Sequence, residues 1–398
     1  MLKNIFISMF CFITMSILFG CNEQSPVAGG ILIDDSTYVT VLSSDSVPFL
    51  KTATGFNTKP SASYLNSLFI GSSKGFQASI LARFGNIPDS LAGAEILSAT
   101  LKLQPERYVF GDSVANRLAF SVYSVNKLWA PDATIDTLSQ NGFIDAKSIA
   151  NYDGIIPLKD TMSSISIDID KSFISQWFTI KSNTKSDSLI YGIALIPTMN
   201  STVIRAFARN TISSPEKSPV LLQVLYKKSG SQTIDSVLLI SAYDGCFVKS
   251  PLQNDGSIVL DCASGQVSEL GFNLSAVPKN VSVHGAVLTL QVNASQCITG
   301  NRPKDTVITA NFVDSSTANI LREYYAVSSS TSTEYTFSVL NSVIEGILRR
   351  GTNGILKILP YVDRDRNRVD RLVFYGPNDP DPTKRPKLKI VYSNRPKP

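Results

Sequence analysis

The chain repeats itself, and what repeats is strand periodicity. In Ala99-Thr100-Leu101-Lys102-Leu103-Gln104 every second residue is apolar, so one face of an extended strand enters a core and the other meets water. Ile165-Ser166-Ile167-Asp168-Ile169-Asp170 alternates in the same way. Clusters of Gly, Pro, Asn and Asp break such runs at short intervals, the punctuation of a sandwich or barrel. The order of the runs then recurs. Ile80 to Pro88, followed by Ser98 to Leu103, has a counterpart in Leu270 to Pro278, followed by Gly285 to Leu290. Farther on, Phe173, Ile174, Trp177 and Phe178 match Val343, Ile344, Ile347 and Leu348 at an offset of 170. That spacing is one face of a short helix in each copy. Phe207 stands 12 residues before Pro219, as Phe374 does before Pro386, and the copies close on Leu222 to Tyr226 and Leu388 to Tyr392. The expectation is two homologous β domains.

Lys227-Lys228-Ser229-Gly230-Ser231-Gln232 is polar and turn-prone, and the boundary is expected there, with domains over 37–228 and 232–394. Charged residues are 17% of the chain and hydrophobic ones 43%, so each half has enough apolar surface for its own core. Copy one alone carries a long middle, 131–162, with Gly, Asn, Asp and Pro and no clear period. It is expected as a loop excursion, the kind of place where function sits on a sandwich.

The first 20 residues read as an export signal. Lys3 precedes an apolar run ending Ile17-Leu18-Phe19, and Gly20 is a small residue at a cut site, the order of a signal peptide. Leu18-Phe19-Gly20-Cys21 resembles the bacterial lipobox, with Phe19 where that motif usually carries something smaller. The resemblance implies cleavage before Cys21, whose sulfur would carry a diacylglycerol thioether and anchor the protein to a membrane. An ordinary secretory signal with an incidental cysteine is one alternative. An uncleaved anchor helix is another, although the run falls short of the ~20 apolar residues a spanning helix needs. Residues 21–36 are polar, with Gly and Pro, and are expected as a tether. Asn22 is not the Asp that retains lipoproteins at the inner membrane of enteric bacteria, which favours the cell outer membrane.

Cys246, Cys262 and Cys297 remain in the mature chain, and export allows a disulfide. Cys246 to Cys262 is the expected bridge, since the two would lie on the first two strands of the second domain. Cys262 to Cys297 is the fallback. Net charge is +5, too small to imply nucleic acid. The excess sits in residues 349–398, with 13 Lys/Arg against 5 Asp/Glu. It could face acidic polysaccharide or headgroups, or simply occupy solvent-facing strand positions. Asp363-Arg364-Asp365-Arg366-Asn367-Arg368-Val369-Asp370 resembles the opening of a calcium loop. Arg368 and Phe374, however, stand where that loop needs Gly and Glu. A charge-paired hairpin tip is expected there, and no metal or cofactor is assigned. The single histidine, His284, has no spaced partners for a metal or a triad.

The first copy also resembles a known family. Arg83-Phe84, the Ile96 to Leu103 strand, Asn116-Arg117-Leu118 opening a strand to Tyr123, and Trp129 come in its order. Tyr191 to Leu195, Phe207-Ala208-Arg209 and the Pro219 to Tyr226 strand complete it. This is similar to the DNRLRE-type domain of secreted bacterial proteins, a jelly roll grouped with carbohydrate-binding modules. Residues 37–227 carry the pattern well and 232–393 more loosely, and Ala115 stands where the motif has an acid. The resemblance implies two tandem jelly-roll-like β-sandwich domains, each with one short helix, and a sugar-binding ancestry. Trp177 is expected in the core, because its counterpart is Ile347. Trp129 and Arg117 have no counterpart in copy two and are the candidate ligand contacts, an aromatic face for a sugar and a guanidinium for a uronate. The competing reading keeps both buried as a structural pair, with Arg117 satisfied by a carboxylate inside the 131–162 loop. The expected function is non-catalytic binding of polysaccharide. The alternative is a structural or adhesive envelope protein that contacts other proteins.

Overall fold

The structure is a computed structural model that describes residues 38–395, except 92, 159–162, 210–219, 305, 314–319, 330, 351–354 and 362–366. The expected signal, the Cys21 expected to carry lipid and the expected tether lie outside the described residues. So do Asp363 and Asp365. Among the described residues no helix is long and apolar enough to cross a membrane.

Strands β1 (Val39–Ser43) and β2 (Leu50–Asn57) come first, then β3 (Leu68–Ser73), β4 (Phe76–Phe84), β5 (Glu95–Leu103), β6 (Pro105–Gly111) and β7 (Arg117–Val125). A one-turn helix α1 (Ile135–Leu138) leads to β8 (Ile144–Ile155) and β9 (Ile165–Ile169). Helix α2 (Lys171–Thr184) leads to β10 (Ile193–Pro197), β11 (Val203–Phe207) and β12 (Leu221–Lys227). The second half runs β13 (Ile234–Lys249), β14 (Ile258–Asp261), β15 (Gln266–Phe272), β16 (Val281–Gln291), β17 (Val307–Val313), β18 (Ile320–Val327) and β19 (Glu334–Phe337). It ends with α3 (Asn341–Arg350), β20 (Ile355–Pro360), β21 (Arg371–Phe374) and β22 (Lys387–Asn394). The fold is all-β with large antiparallel sheets, as the alternation predicts, and it forms β-sandwiches around two main cores.

The helices sit where the repeat places them. On α2 the buried residues are Phe173, Ile174, Trp177 and Phe178. Trp177 lies 4.9 Å from Phe173 and 5.7 Å from Phe84, ring to ring, and each such burial contributes about 1.5–3 kcal/mol. Asp170 caps the helix by accepting from Ser172 N at 2.9 Å. Lys185 ends it in the left-handed region at φ 54°, with its N–H donating to Lys181 O. On α3, Val343, Ile344 and Leu348 are buried in the second core.

The domain boundaries differ from the expectation. β12 and β13 form one hairpin across Gly230, from Leu221↔Ile240 to Lys227↔Ile234. The rest of β13 pairs with β4 of the first sandwich, Cys246 opposite Ile80. Meanwhile β1 pairs with β22, and β2 with β15, both in the second sandwich. So 37–228 and 232–394 are not separate units: each sequence repeat gives its first strands to the other sandwich. The physical reason is that alternation specifies which face of a strand is buried and leaves its partner open.

That exchange also explains the cysteines. Cys246 and Cys262 form no disulfide, and neither do Cys262 and Cys297; all three are thiols. β13 belongs to the first sandwich, whereas β14 pairs with β21 in the second, so the two strands are not neighbours. Cys246 Sγ donates to Ser67 O at 3.4 Å, and burial pushes its pKa up to about 12. Cys297 Sγ is turned to the Val373 backbone, accepting from its N–H at 3.3 Å.

Candidate functional site

The two residues proposed from sequence do not meet. Arg117 opens β7 and Trp129 follows its end, so about 25–30 Å of strand separates them. Trp129 is 4% exposed, in a satellite core with Leu81, Val125, Phe143, Ala194 and Phe247. Its Nε1 donates to Tyr191 O at 2.9 Å. The indole has no face left for a sugar, which corrects its candidacy. Arg117 is exposed but engaged, its Nε and Nη2 each 2.7 Å from the two carboxylate oxygens of Asp153. This fork holds the Asp153 carboxyl below the usual range.

Asn116, beside it, is a structural clasp. It sits in the left-handed region at φ 42°, which Asn tolerates better than most residues. Its Nδ2 donates to Ile156 O at 2.7 Å, and its Oδ1 accepts from Arg205 Nη1 at 3.2 Å. Arg205 is fully buried in β11 and also donates to Ile156 O and Glu106 O. Desolvation brings its pKa down to about 10. The expected excursion over 131–162 is largely ordered structure: α1, then the twelve-residue β8 paired along β7. No residue of β8 is fully buried, and the register shifts twice, so its period is blurred in sequence.

A second group of polar residues lies at the seam of the two sandwiches. Arg371 forks onto the fully buried Asp261 at 2.7 and 2.8 Å, donates to Pro251 O, and stacks 5.2 Å over the Phe76 ring of β4. Asp370 Oδ1 accepts from Tyr108 OH at 2.8 Å and Gly300 N at 2.9 Å. Its Oδ2 lies 3.3 Å from Arg368. Burial raises both the Asp370 carboxyl and the Tyr108 phenol. Asn367 accepts from Ser67 Oγ at 3.2 Å. The described end of the calcium-like run is therefore turned inward to tie the sandwiches together. Among the described residues no three His, Cys, Asp or Glu side chains gather as a metal set would. His284 is exposed on β16, its Nε2 2.7 Å from Ser393 Oγ.

The basic C-terminal stretch is also largely occupied. Lys384 pairs with Asp381, Lys387 with Asp45, and Arg349 with Glu345. Arg385 Nε donates to Asp379 O at 2.6 Å. Arg385 lines a cleft of about 250 Å³ with Ser44, Phe49, Pro377 and Thr383. Its polar groups are engaged, Ser44 with Leu388 O, Thr383 with Asp381 and Lys387 with Asp45, leaving few to orient a ligand.

The arrangement best suited to a ligand is a trough of about 430 Å³ between β18 and β19. These strands share a single pair, Val327↔Thr336. β18 otherwise follows β17, and β19 follows β16. The strands splay, leaving strand edges as rims. Tyr325, 51% exposed, stands in the trough with its ring held edge-on by Tyr361 at 5.8 Å. Its hydroxyl donates to Glu323 Oε2 at 2.8 Å. Tyr324 turns the other way, is buried, and meets Ser342 Oγ at 2.8 Å. An aromatic face fixed beside a carboxylate acceptor fits a ring with one apolar face and hydroxyl edges. The sequence signal for these two tyrosines is their adjacency, since one of two neighbouring strand residues must face out.

No family model matches the chain, and no curated protein matches it. Among solved structures, it is similar to a candidate secreted protein of Parabacteroides distasonis, at 10% identity over 92% of this chain and 91% of that one, with a TM-score of 0.21. A subviral particle of infectious bursal disease virus VP2 matches at 8% identity, covering 91% and 78%, with a TM-score of 0.13. The Macrobrachium rosenbergii nodavirus structure matches at 12% identity, covering 94% and 93%, with a TM-score of 0.12. Likenesses this weak carry no argument about fold or function.

Proposed function

We infer that this chain is an extracytoplasmic lipoprotein that binds polysaccharide without catalysis, in the trough between β18 and β19. The observation that carries the reading is Tyr325: half exposed, fixed by Tyr361 and hydrogen-bonded to Glu323. A pre-oriented aromatic loses little freedom when a sugar stacks on it. Glu323 is the one carboxylate among the described lining residues, whereas glycoside hydrolysis uses a pair. The likeness of the first copy to carbohydrate-binding modules supports the class of ligand. The lipobox-like Leu18-Phe19-Gly20-Cys21 supports the anchor.

Polysaccharide affinity electrophoresis of the full chain against Tyr325→Ala tests the site. The expected result is retardation by at least one polysaccharide that the variant loses while its melting transition stays in place. Retardation unchanged in Tyr325→Ala, or none with any polysaccharide, overturns the reading. For the anchor, Cys21→Ser is expected to leave the membrane fraction. Variant that still fractionates with membranes after a high-salt wash overturns that part. A structural or adhesive envelope role is the second reading, and an unguarded strand edge on β13 favours it.

A further inference from the structure

Among the described residues, 234–240 of β13 pair with β12 alone, so this stretch is an edge of the run β13-β12-β5-β9. Ser241 N donates to Val220 O on the β12 side at 3.1 Å. Antiparallel alternation then turns the backbone groups of Ile234, Ser236, Leu238 and Ile240 outward, away from β12. The same even-numbered residues carry the exposed side chains: Ile234 is 57%, Leu238 50% and Ile240 51% exposed. Soluble proteins protect such edges with Lys, Pro, bulges or short strands. The opposite edge, β9, is five residues long and carries the exposed Asp168. Residues 234–240 have no Lys, Arg or Pro, and the first bulge comes only at Ser241/Tyr243.

We propose that β13 is the dimer interface of this protein, pairing antiparallel with β13 of a second copy about a two-fold axis at Val237. A row of open backbone donors and acceptors is satisfied by another strand, which selects a polypeptide as occupant. The strand is self-complementary in this register. Ile234 faces Ile240 of the partner subunit and Ser236 faces Leu238 of the partner subunit, every one a residue whose backbone already points outward. The aliphatic side chains then line one face. Asp235, the only charge in the stretch, falls opposite Leu239 of the partner subunit, so like charges are not apposed. The two-fold operation closes the assembly at two copies and joins two four-stranded runs into eight.

Sedimentation velocity of the full chain over a range of concentrations, with amide hydrogen exchange, decides the matter. The expected result is a reversible dimer in which the Ser236 and Leu238 amides exchange slowly. Leu238→Lys is expected to make it monomeric, with those amides fast and the thermal melt unchanged. A chain that stays monomeric throughout overturns the proposal. So does a dimer indifferent to Leu238→Lys, or open-ended growth, since two-fold pairing closes.

Discussion

In the first sandwich the closing strand β12 lies between β5 and β13, with Val224 opposite Ala99 on one side and Val237 on the other. In the second, its counterpart β22 lies between β16 and β1, with Ile390 opposite Ala286 and Leu42. The next layer matches too. Ile80 of β4 faces Cys246 of β13, and Leu270 of β15, its equivalent in the repeat, faces Ala53 of β2. The two sandwiches thus share one pairing scheme, but each takes its outer strands from the other sequence repeat. Tandem repeats need not fold as tandem domains. The exchange makes the seam part of both, and buried polar contacts fasten it, Tyr108 to Asp370 and Arg371 over Phe76, where separate domains would carry a looser interface.

Removing a seam partner should have the largest effect. Arg371→Leu leaves Asp261 charged and buried, expected to cost about 3–5 kcal/mol. Because the sandwiches are interlaced, calorimetry is expected to show one transition lowered as a whole; two separating transitions would break the comparison. Trp129→Ala opens the satellite core of the first sandwich, for about 3–5 kcal/mol. Hydrogen exchange is expected to report weaker protection in β15 and β22 as well as in β4, while polysaccharide retention persists below the melt. Protection lost in the first sandwich alone would argue for independent units.

Smaller effects sharpen the picture. Asp170→Ala removes the α2 cap and is expected to cost about 1 kcal/mol, read from denaturant midpoints. The seam should also respond to pH through Asp370, whose folded pKa is raised by burial. Stability from this group is present below the unfolded value of 3.8 and is lost as pH rises through the folded pKa. Asp370→Asn is therefore expected to flatten the fall in melting temperature on going from about pH 4 toward neutrality. A slope that stays the same would remove Asp370 from the account. Smallest of all, Tyr325→Ala is expected to change stability by less than about 0.5 kcal/mol.

Much of each sandwich was legible because it is local. The faces of α2 and α3, the buried Trp177 and the closing Tyr226 and Tyr392 follow from spacing within one element. The exchange was not legible, because Leu42 in β1 and Leu239 in β13 read as inward-facing whichever sheet receives them. The cysteine pairing failed for the same reason. Trp129 looked like a graft for lack of a counterpart, yet its indole fills a core that the β8 excursion itself creates. The trough depends on β18 and β19 diverging after one pair, a relation between distant strands that no window of sequence contains.

The central claim is the strand exchange, and circular permutation tests it most directly. Residues 232–394 alone keep β13, which belongs elsewhere, and lack β1 and β2. Residues 256–395, joined by a flexible linker to 38–57, restore β1 beside β22 and β2 beside β15. Thermal unfolding followed by circular dichroism is predicted to be cooperative for the permuted piece and absent for 232–394. A cooperative transition of 232–394 by itself, at the temperature of the full chain, would contradict the exchange.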